Sequence, residues 1–324
     1  MANAILIAMN KKIIKIAGFL PLFLSIVAGG IIFKGIFSAD IWYDEVFSLC
    51  FTEGGFFDVI ALTARDVHPP FYYLYLKTVS GIILFLTNSS NVIMAGKLAS
   101  ILPLIILLII SLTYIRNKWG MLTAGMFMLL ITAMPQIGNY YIEIRMYSLA
   151  LLLITVAGLL ALSILENESQ WKWFFLWLTG ILTAYTQYYA CIGVAGVYMA
   201  LLCLILLRKD NNKKKLLRAY GICVINSIIF YIPWLPVVIK QMNNLQGNYW
   251  IQPLTLRSLA GCVKFILLPV SGDGIIRYIA VVLVLISFVI LGFVNIKKDG
   301  IKKYYSVLAM GIIPIALVIA SGFI

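Results

Sequence analysis

Apolar positions in this chain come in long uninterrupted runs, and short polar clusters separate them. Runs of ~20 residues, the length a helix needs to cross ~30 Å of hydrocarbon, predict helices near 13–34, 94–115, 119–135, 145–165, 171–188, 190–207, 219–239, 275–296 and 304–323. The basic clusters between them are Lys11/Lys12/Lys15, Arg116/Lys118, the group from Arg208 to Arg218, and Lys297/Lys298/Lys302/Lys303. Basic loops stay cytoplasmic, so an even number of crossings must separate successive clusters, and these nine helices satisfy that rule. Phe71 to Leu86 does not fit as a full crossing, because it would invert every later cluster. It reads as a membrane-embedded or interfacial helix that returns to the side it came from, the alternative being a true span with the Arg116 cluster on the other side. The first run follows lysines as a signal peptide would, but it is long, lacks a small-residue cleavage site and precedes many more spans. It reads as a retained first helix.

Composition sharpens this picture. Of 324 residues, 63% are hydrophobic and 11% charged, where a soluble domain carries about a quarter charged residues. The chain is therefore expected to be one all-α polytopic membrane domain over residues 1–324. The net charge of +13 reports topology and contact with anionic membrane lipids rather than nucleic acid, because the basic residues sit between apolar runs. Cys50, Cys191, Cys203, Cys223 and Cys262 show neither CxxC nor CxxxC spacing, which supports neither a zinc knuckle nor a disulfide framework. Asp40, Asp44, Glu45, Glu53, Asp58, Asp66, Glu143 and Asp273 all fall on the outer side, eight of the twelve acids. Any chemistry is expected there.

Three outer segments hold the candidate residues. The first reads Asp40-Ile-Trp-Tyr-Asp-Glu-Val-Phe-Ser-Leu. Asp44 and Glu45 are adjacent carboxylates, and such groups repel, so one rises in pKa unless a cation sits between them, an arrangement suited to a base and a ligand. The alternative is a solvated loop whose acids keep it outside. The second is Arg65-Asp-Val-His-Pro-Pro-Phe-Tyr-Tyr-Leu-Tyr-Leu-Lys77, in which the single histidine, His68, lies two residues from Asp66. Pro69 and Pro70 stiffen the backbone there, so the pair reads either as metal or substrate ligands or as a structural hydrogen bond. The third is Asn139-Tyr-Tyr-Ile-Glu-Ile-Arg-Met-Tyr147, with Glu143 and Arg145 at the outer end of a hydrophobic helix. Ionisable residues at such depth face the bundle interior, and residues two apart on a helix reach different partners. Arg145 suits a phosphate because its guanidinium binds two oxygens at once. Thr186-Gln-Tyr-Tyr189, Pro233-Trp-Leu-Pro236 and Asn248-Tyr-Trp-Ile-Gln-Pro253 read as interfacial aromatic belts or as sugar-stacking surfaces.

The order WYDE, DVHPPFYYLYLK, a basic RNKWG turn and YYIEIRMYSL resembles the bacterial members of glycosyltransferase family 39, which includes protein O-mannosyltransferases and is similar in fold to the lipid A aminoarabinose transferase. All belong to the GT-C class of membrane glycosyltransferases. The resemblance covers most of the first 250 residues. It implies a GT-C-like bundle of about nine transmembrane helices with interfacial helices in the first outer loop, and a polyprenyl-phosphate sugar as donor. Asp44 matches the position of the catalytic acid, with Glu45 beside it. Asp66 and His68 match a segment where some relatives hold a metal ligand, so a divalent cation is an expected cofactor. Glu143 and Arg145 match a second acidic and basic pair. Family members continue for several more helices, whereas this chain stops at Ile324, so a short variant or a truncated frame is expected.

The expected reaction is an inverting transfer on the non-cytoplasmic face of the cell membrane. Asp44 acts as general base on a lipid, glycan or protein acceptor, and Arg145 neutralises the departing phosphate with help from Lys77 or a divalent cation. Glu143, Tyr147 and Tyr188 complete the substrate-binding residues. The rival is a transporter or flippase of a lipid-linked sugar, in which the same charges bind without chemistry; a third reading is an inactive truncated homologue. Transporters show paired repeats, and none is visible here.

Overall fold

The structure is a computed structural model that describes residues 18–38, 40–133, 137–245, 255–267, 282, 286 and 301–322. Among them the fold is helical, with no strand. In chain order the helices are α1 (Phe19–Ser38), α2 (Tyr43–Cys50), α3 (Phe56–Arg65), α4 (Phe71–Thr87), α5 (Val92–Ile110), α6 (Met121–Ala133) and α7 (Ile137–Ile142). They continue with α8 (Tyr147–Glu166), α9 (Gln170–Ala184), α10 (Tyr188–Leu206), α11 (Lys213–Tyr231), α12 (Leu235–Leu245), α13 (Leu256–Leu267) and α14 (Ile301–Ser321).

Five stretches are long and apolar enough to cross a membrane: Phe19–Ser38, Val92–Trp119, Tyr147–Glu166, Tyr188–Leu206 and Lys213–Asn244. Phe71–Thr87, Met121–Ala133 and Tyr305–Ser321 are shorter apolar helices, and α9 has 15 residues. The chain is accordingly a helical membrane protein. Of the helix expected near 275–296 only residues 282 and 286 are described, both helical, and the aromatic segment Asn248 to Pro253 lies outside the described residues. Phe71–Thr87 is a single helix, as its apolar run foretold, and its 17 residues span roughly 25 Å, short of the hydrocarbon thickness.

Contacts divide the chain into two compact units, each assembled from three stretches. One comprises Met1–Glu45, Ile83–Ser148 and Leu256–Lys298; the other comprises Val46–Ile82, Leu149–Thr255 and Asp299–Ile324. The continuous apolar pattern, which reads as one domain, carries no signal for this interleaving.

In the first unit α1 crosses α6 closely. A Cβ on Gly125 would meet the Gly18 carbonyl oxygen at 2.7 Å, and one on Gly18 would meet the Leu122 backbone nitrogen at 2.7 Å. Small residues at such a crossing let backbones approach where lipid supplies no hydrophobic drive between helices. The helix begun by α5 runs on through a π-helical turn at Ser111–Ile115 to Trp119. It stops at Gly120, whose φ of +94° only glycine adopts without strain, so the basic RNKWG segment, expected as a turn, is the last helical turn followed by a glycine stop. Ser111 Oγ ties it to α6 by donating to the Ala124 carbonyl at 2.9 Å.

In the second unit the core gathers Ala157, Ala161, Leu176, Val197, Leu201 and Ile205 from α8, α9 and α10. The Ser169 hydroxyl caps α9 by accepting from the Lys172 amide at 3.3 Å. Gly196 lets α10 lie against α14, since a Cβ there would meet the Pro314 Cα at 2.4 Å. Large apolar side chains stay exposed along α1 and α11, among them Phe23, Ile26, Ile31, Ile225 and Ile229. In water this would be a liability; in a bilayer it is the lipid-facing surface.

Candidate functional site

Within the first unit, two of the three sequence segments meet. WYDE forms the first turn of α2, and the Glu143-Ile-Arg145 stretch forms a non-helical bend between α7 and α8. The sequence places Glu143 and Arg145 at the end of a helix; the bend corrects this. The Arg145 amide donates to the Glu143 carbonyl at 2.7 Å, so the chain turns within three residues and both side chains avoid the helical geometry that would separate them.

Glu45 pins the two segments together. It is the third residue of α2, and one carboxylate oxygen accepts from the Trp42 amide at 3.1 Å, satisfying a helix N-terminal donor from within the first turn. Its other oxygen accepts from the Ile144 amide at 2.8 Å, across 99 residues of sequence. Glu45 is 2% exposed, and both oxygens are bound to main chain. This geometry makes Glu45 a positioning residue.

Asp44 differs. Its side chain is 37% exposed, and Oδ2 lies 3.5 Å from Nη2 of Arg145, whose own side chain is 6% exposed. Arg145 Nη1 also reaches the Asp44 carbonyl at 3.5 Å. An accessible carboxylate thus stands beside a buried guanidinium. Glu143 completes the cluster. Burial raises its carboxyl pKa, the nearby charges of Glu45 and Asp44 raise it further, and Arg145 opposes them. Glu143 Oε2 is buried and, among the described residues, accepts no hydrogen bond. Tyr147 is half-buried and packs edge-on against Tyr140 with centroids 4.9 Å apart.

Sequence reasoning missed two features beside this cluster. Ser148 Oγ donates to the Ser100 carbonyl at 2.5 Å, tying the start of α8 to α5. One turn before Ser100 on α5 is Lys97, 2% exposed. A lysine inside the apolar run Val92–Ile110 was visible in the sequence, and an intramembrane charge is a functional-site signal by default.

The remaining candidates lie in the second unit. His68 Nδ1 is 2.9 Å from Asp66 Oδ2, so the pair predicted from its spacing forms. It offers two donors, and among the described residues no group of three or more His, Cys, Asp or Glu side chains gathers. Lys77 Nζ donates to the Thr52 carbonyl at 2.8 Å and lies 5.8 Å from the centre of the Phe56 ring, which stitches α4 to the segment after α2. Tyr188 is held by two side chains. Its hydroxyl donates to Gln241 Oε1 and accepts from Trp234 Nε1 at 3.1 Å, while Gln241 Nε2 donates to the Thr63 carbonyl at 2.9 Å. This network joins α3, α10 and α12 and unites two aromatic motifs, TQYY and PWLP, that the sequence left apart. No protein-family model, curated protein or solved structure matches the chain.

Proposed function

We propose that this protein is a membrane glycosyltransferase. In this reading it moves a sugar from a polyprenyl-phosphate donor to a lipid, glycan or protein acceptor on the non-cytoplasmic face of the cell membrane, on a GT-C-like bundle of about nine spans. The observation that supports it is the juxtaposition in one unit of an accessible carboxylate, Asp44, with a buried guanidinium, Arg145, 3.5 Å away. Base and anion-binding group thus share one site, one group for the acceptor proton and the other for the phosphate.

Asp44 takes the proton of the acceptor O–H or N–H. The lone pair so released forms the bond to the anomeric carbon from the face opposite the phosphate, and the carbon–oxygen bond to phosphate breaks with its electron pair on the phosphate. The anomeric configuration inverts. Arg145 faces the charge that develops on the leaving phosphate, and a fixed cation there acts on the transition state more than on the ground state. Glu45 holds the α2 turn against the bend and so sets the distance between base and guanidinium. Glu143, held toward its neutral form by burial and neighbouring carboxylates, is suited to donate a hydrogen bond to a sugar hydroxyl.

The test is release of free polyprenyl phosphate by the purified protein from a panel of polyprenyl-phosphate sugars, beside Asp44→Asn. General-base assistance contributes about 10²- to 10⁴-fold, so the variant is expected to lose at least ~100-fold. Release unaffected by Asp44→Asn removes the base role. Binding of the donor without any release favours the transporter reading.

A further inference from the structure

A cavity of ≈ 660 Å³ opens between α9 and α11 in the second unit. One stripe of each helix lines it. From α11 come Lys215, Arg218, Ala219, Ile222, Cys223 and Asn226, and from α9 come Gln170, Trp173, Phe174 and Trp177, with Glu168 and Ser169 just ahead. The spacings of three and four residues show that each stripe is a single helix face.

The lining is graded along the helix axes. Both helices begin at the same end, where Lys215, Arg218, Glu168, Ser169 and Gln170 cluster; Trp173, Phe174, Trp177 and Ile222 form the walls beyond. From Lys215 to Asn226 the stripe runs roughly 16 Å at 1.5 Å per residue, about one leaflet of a ~30 Å hydrocarbon core. Lys215 pairs with Glu168 and so cancels its charge. Arg218 is exposed and has no ion-pair or hydrogen-bond partner among the described residues. The mouth of the cavity therefore carries an uncompensated guanidinium. It also lies in the basic group from Arg208 to Arg218, the end that the positive-inside rule assigns to the cytoplasm.

We infer that this cavity is a binding site for an anionic phospholipid of the cytoplasmic leaflet, its phosphate on Arg218 and one acyl chain against Trp173, Trp177 and Ile222. Charge complementarity selects the occupant. A zwitterionic lipid brings no net charge to Arg218, and a soluble anion leaves the aromatic walls uncovered. Guanidinium is the side chain best matched to phosphate, because it presents two parallel N–H donors. The site is independent of the transferase reading.

The test reconstitutes the full chain in phosphatidylcholine vesicles containing a small fraction of either phosphatidylglycerol or phosphatidylcholine with brominated acyl chains. Tryptophan fluorescence is then read, since bromine quenches indoles that its chain touches. One basic residue near a bilayer surface favours an anionic lipid about fivefold, and quenching by the brominated phosphatidylglycerol is expected to saturate at about fivefold lower mole fraction. Arg218→Gln should abolish this preference. Lys214→Gln, which removes the same charge from the neighbouring surface but not from the cavity, should leave it intact. Trp177→Phe should remove much of the lipid-selective signal. Equal quenching by both lipids overturns the proposal, as does equal loss in Arg218→Gln and Lys214→Gln, which marks diffuse surface attraction. Loss of the preference on adding inorganic phosphate instead assigns the site to a free anion.

Discussion

Two polar assemblies lie at the ends of apolar helices in this protein, and they are built on opposite plans. The Tyr188–Trp234–Gln241 network is neutral and closed: the Tyr188 hydroxyl is both donor and acceptor, and Gln241 uses its carbonyl on Tyr188 and its amide on Thr63. The Asp44–Glu45–Glu143–Arg145 cluster is charged and open. Three carboxylates share the neighbourhood of Arg145, one oxygen of Glu143 is buried without a hydrogen bond among the described residues, and Asp44 faces solvent. A closed network holds helices together; an open charged one stores unfavourable electrostatics that a substrate can relieve. On that contrast, the proposed activity belongs to the Asp44 cluster and the structural role to the Tyr188 network.

The sharpest way to break the comparison is Arg145→Gln. Removing a buried cation from beside carboxylates is expected to cost about 3–5 kcal/mol, read as a loss of thermal stability of the purified protein in detergent, together with loss of turnover. A smaller stability loss, about 1–3 kcal/mol, is expected for Glu45→Gln, because an amide accepts through one oxygen where the carboxylate uses two. Thermal unfolding of the purified variant measures that loss. Tyr188→Phe is expected to cost about 1 kcal/mol and to leave turnover close to that of the parent, since it deletes one hydroxyl from a structural network. A loss of turnover far beyond the loss of stability would move Tyr188 back among the substrate-binding residues.

Glu143→Gln is expected to act in the opposite direction. The folded-state pKa of Glu143 is raised, so the native protein binds a proton more tightly than the unfolded chain does. Stability is then lost as pH climbs from the ordinary carboxyl range through the raised value. Glutamine removes that loss. The variant should be more thermostable than the parent at pH above the raised pKa, and the difference should vanish below the ordinary carboxyl range. Equal stability of the two proteins from pH 4 to 8 would show that the charged form of Glu143 is not penalised.

Much of the site was legible in the sequence. Asp44, Glu45, Glu143 and Arg145 stood out because charges beside apolar runs are rare, and the structure brings them together. Their separate roles were not legible. Asp44 and Glu45 are neighbours in sequence, yet only the bend at residues 143–146 decides that Glu45 spends both oxygens on main-chain amides while Asp44 keeps one face open. The Asp66–His68 pair follows from its spacing of two residues, but whether further ligands converge on it is a property of distant chain. Lys97 is readable in the sequence as a charge inside an apolar run, but its burial depends on α5 being packed rather than lipid-exposed.

By itself the amino-acid order determined that the chain is helical and membrane-embedded, because a 20-residue apolar segment must satisfy its own backbone wherever water is absent. It also determined where helices begin and stop, through local devices such as the Ser169 cap and Gly120. Only the tertiary structure decided which helix faces meet. That depends on close approaches such as Gly125 at Gly18 and Gly196 at Pro314, and on hydrogen bonds that span 99 and 178 residues of chain. A run of apolar residues is equally soluble in lipid on every side, so its composition carries no record of the neighbour it will choose; small side chains and a few polar atoms make that choice once the helices are in contact.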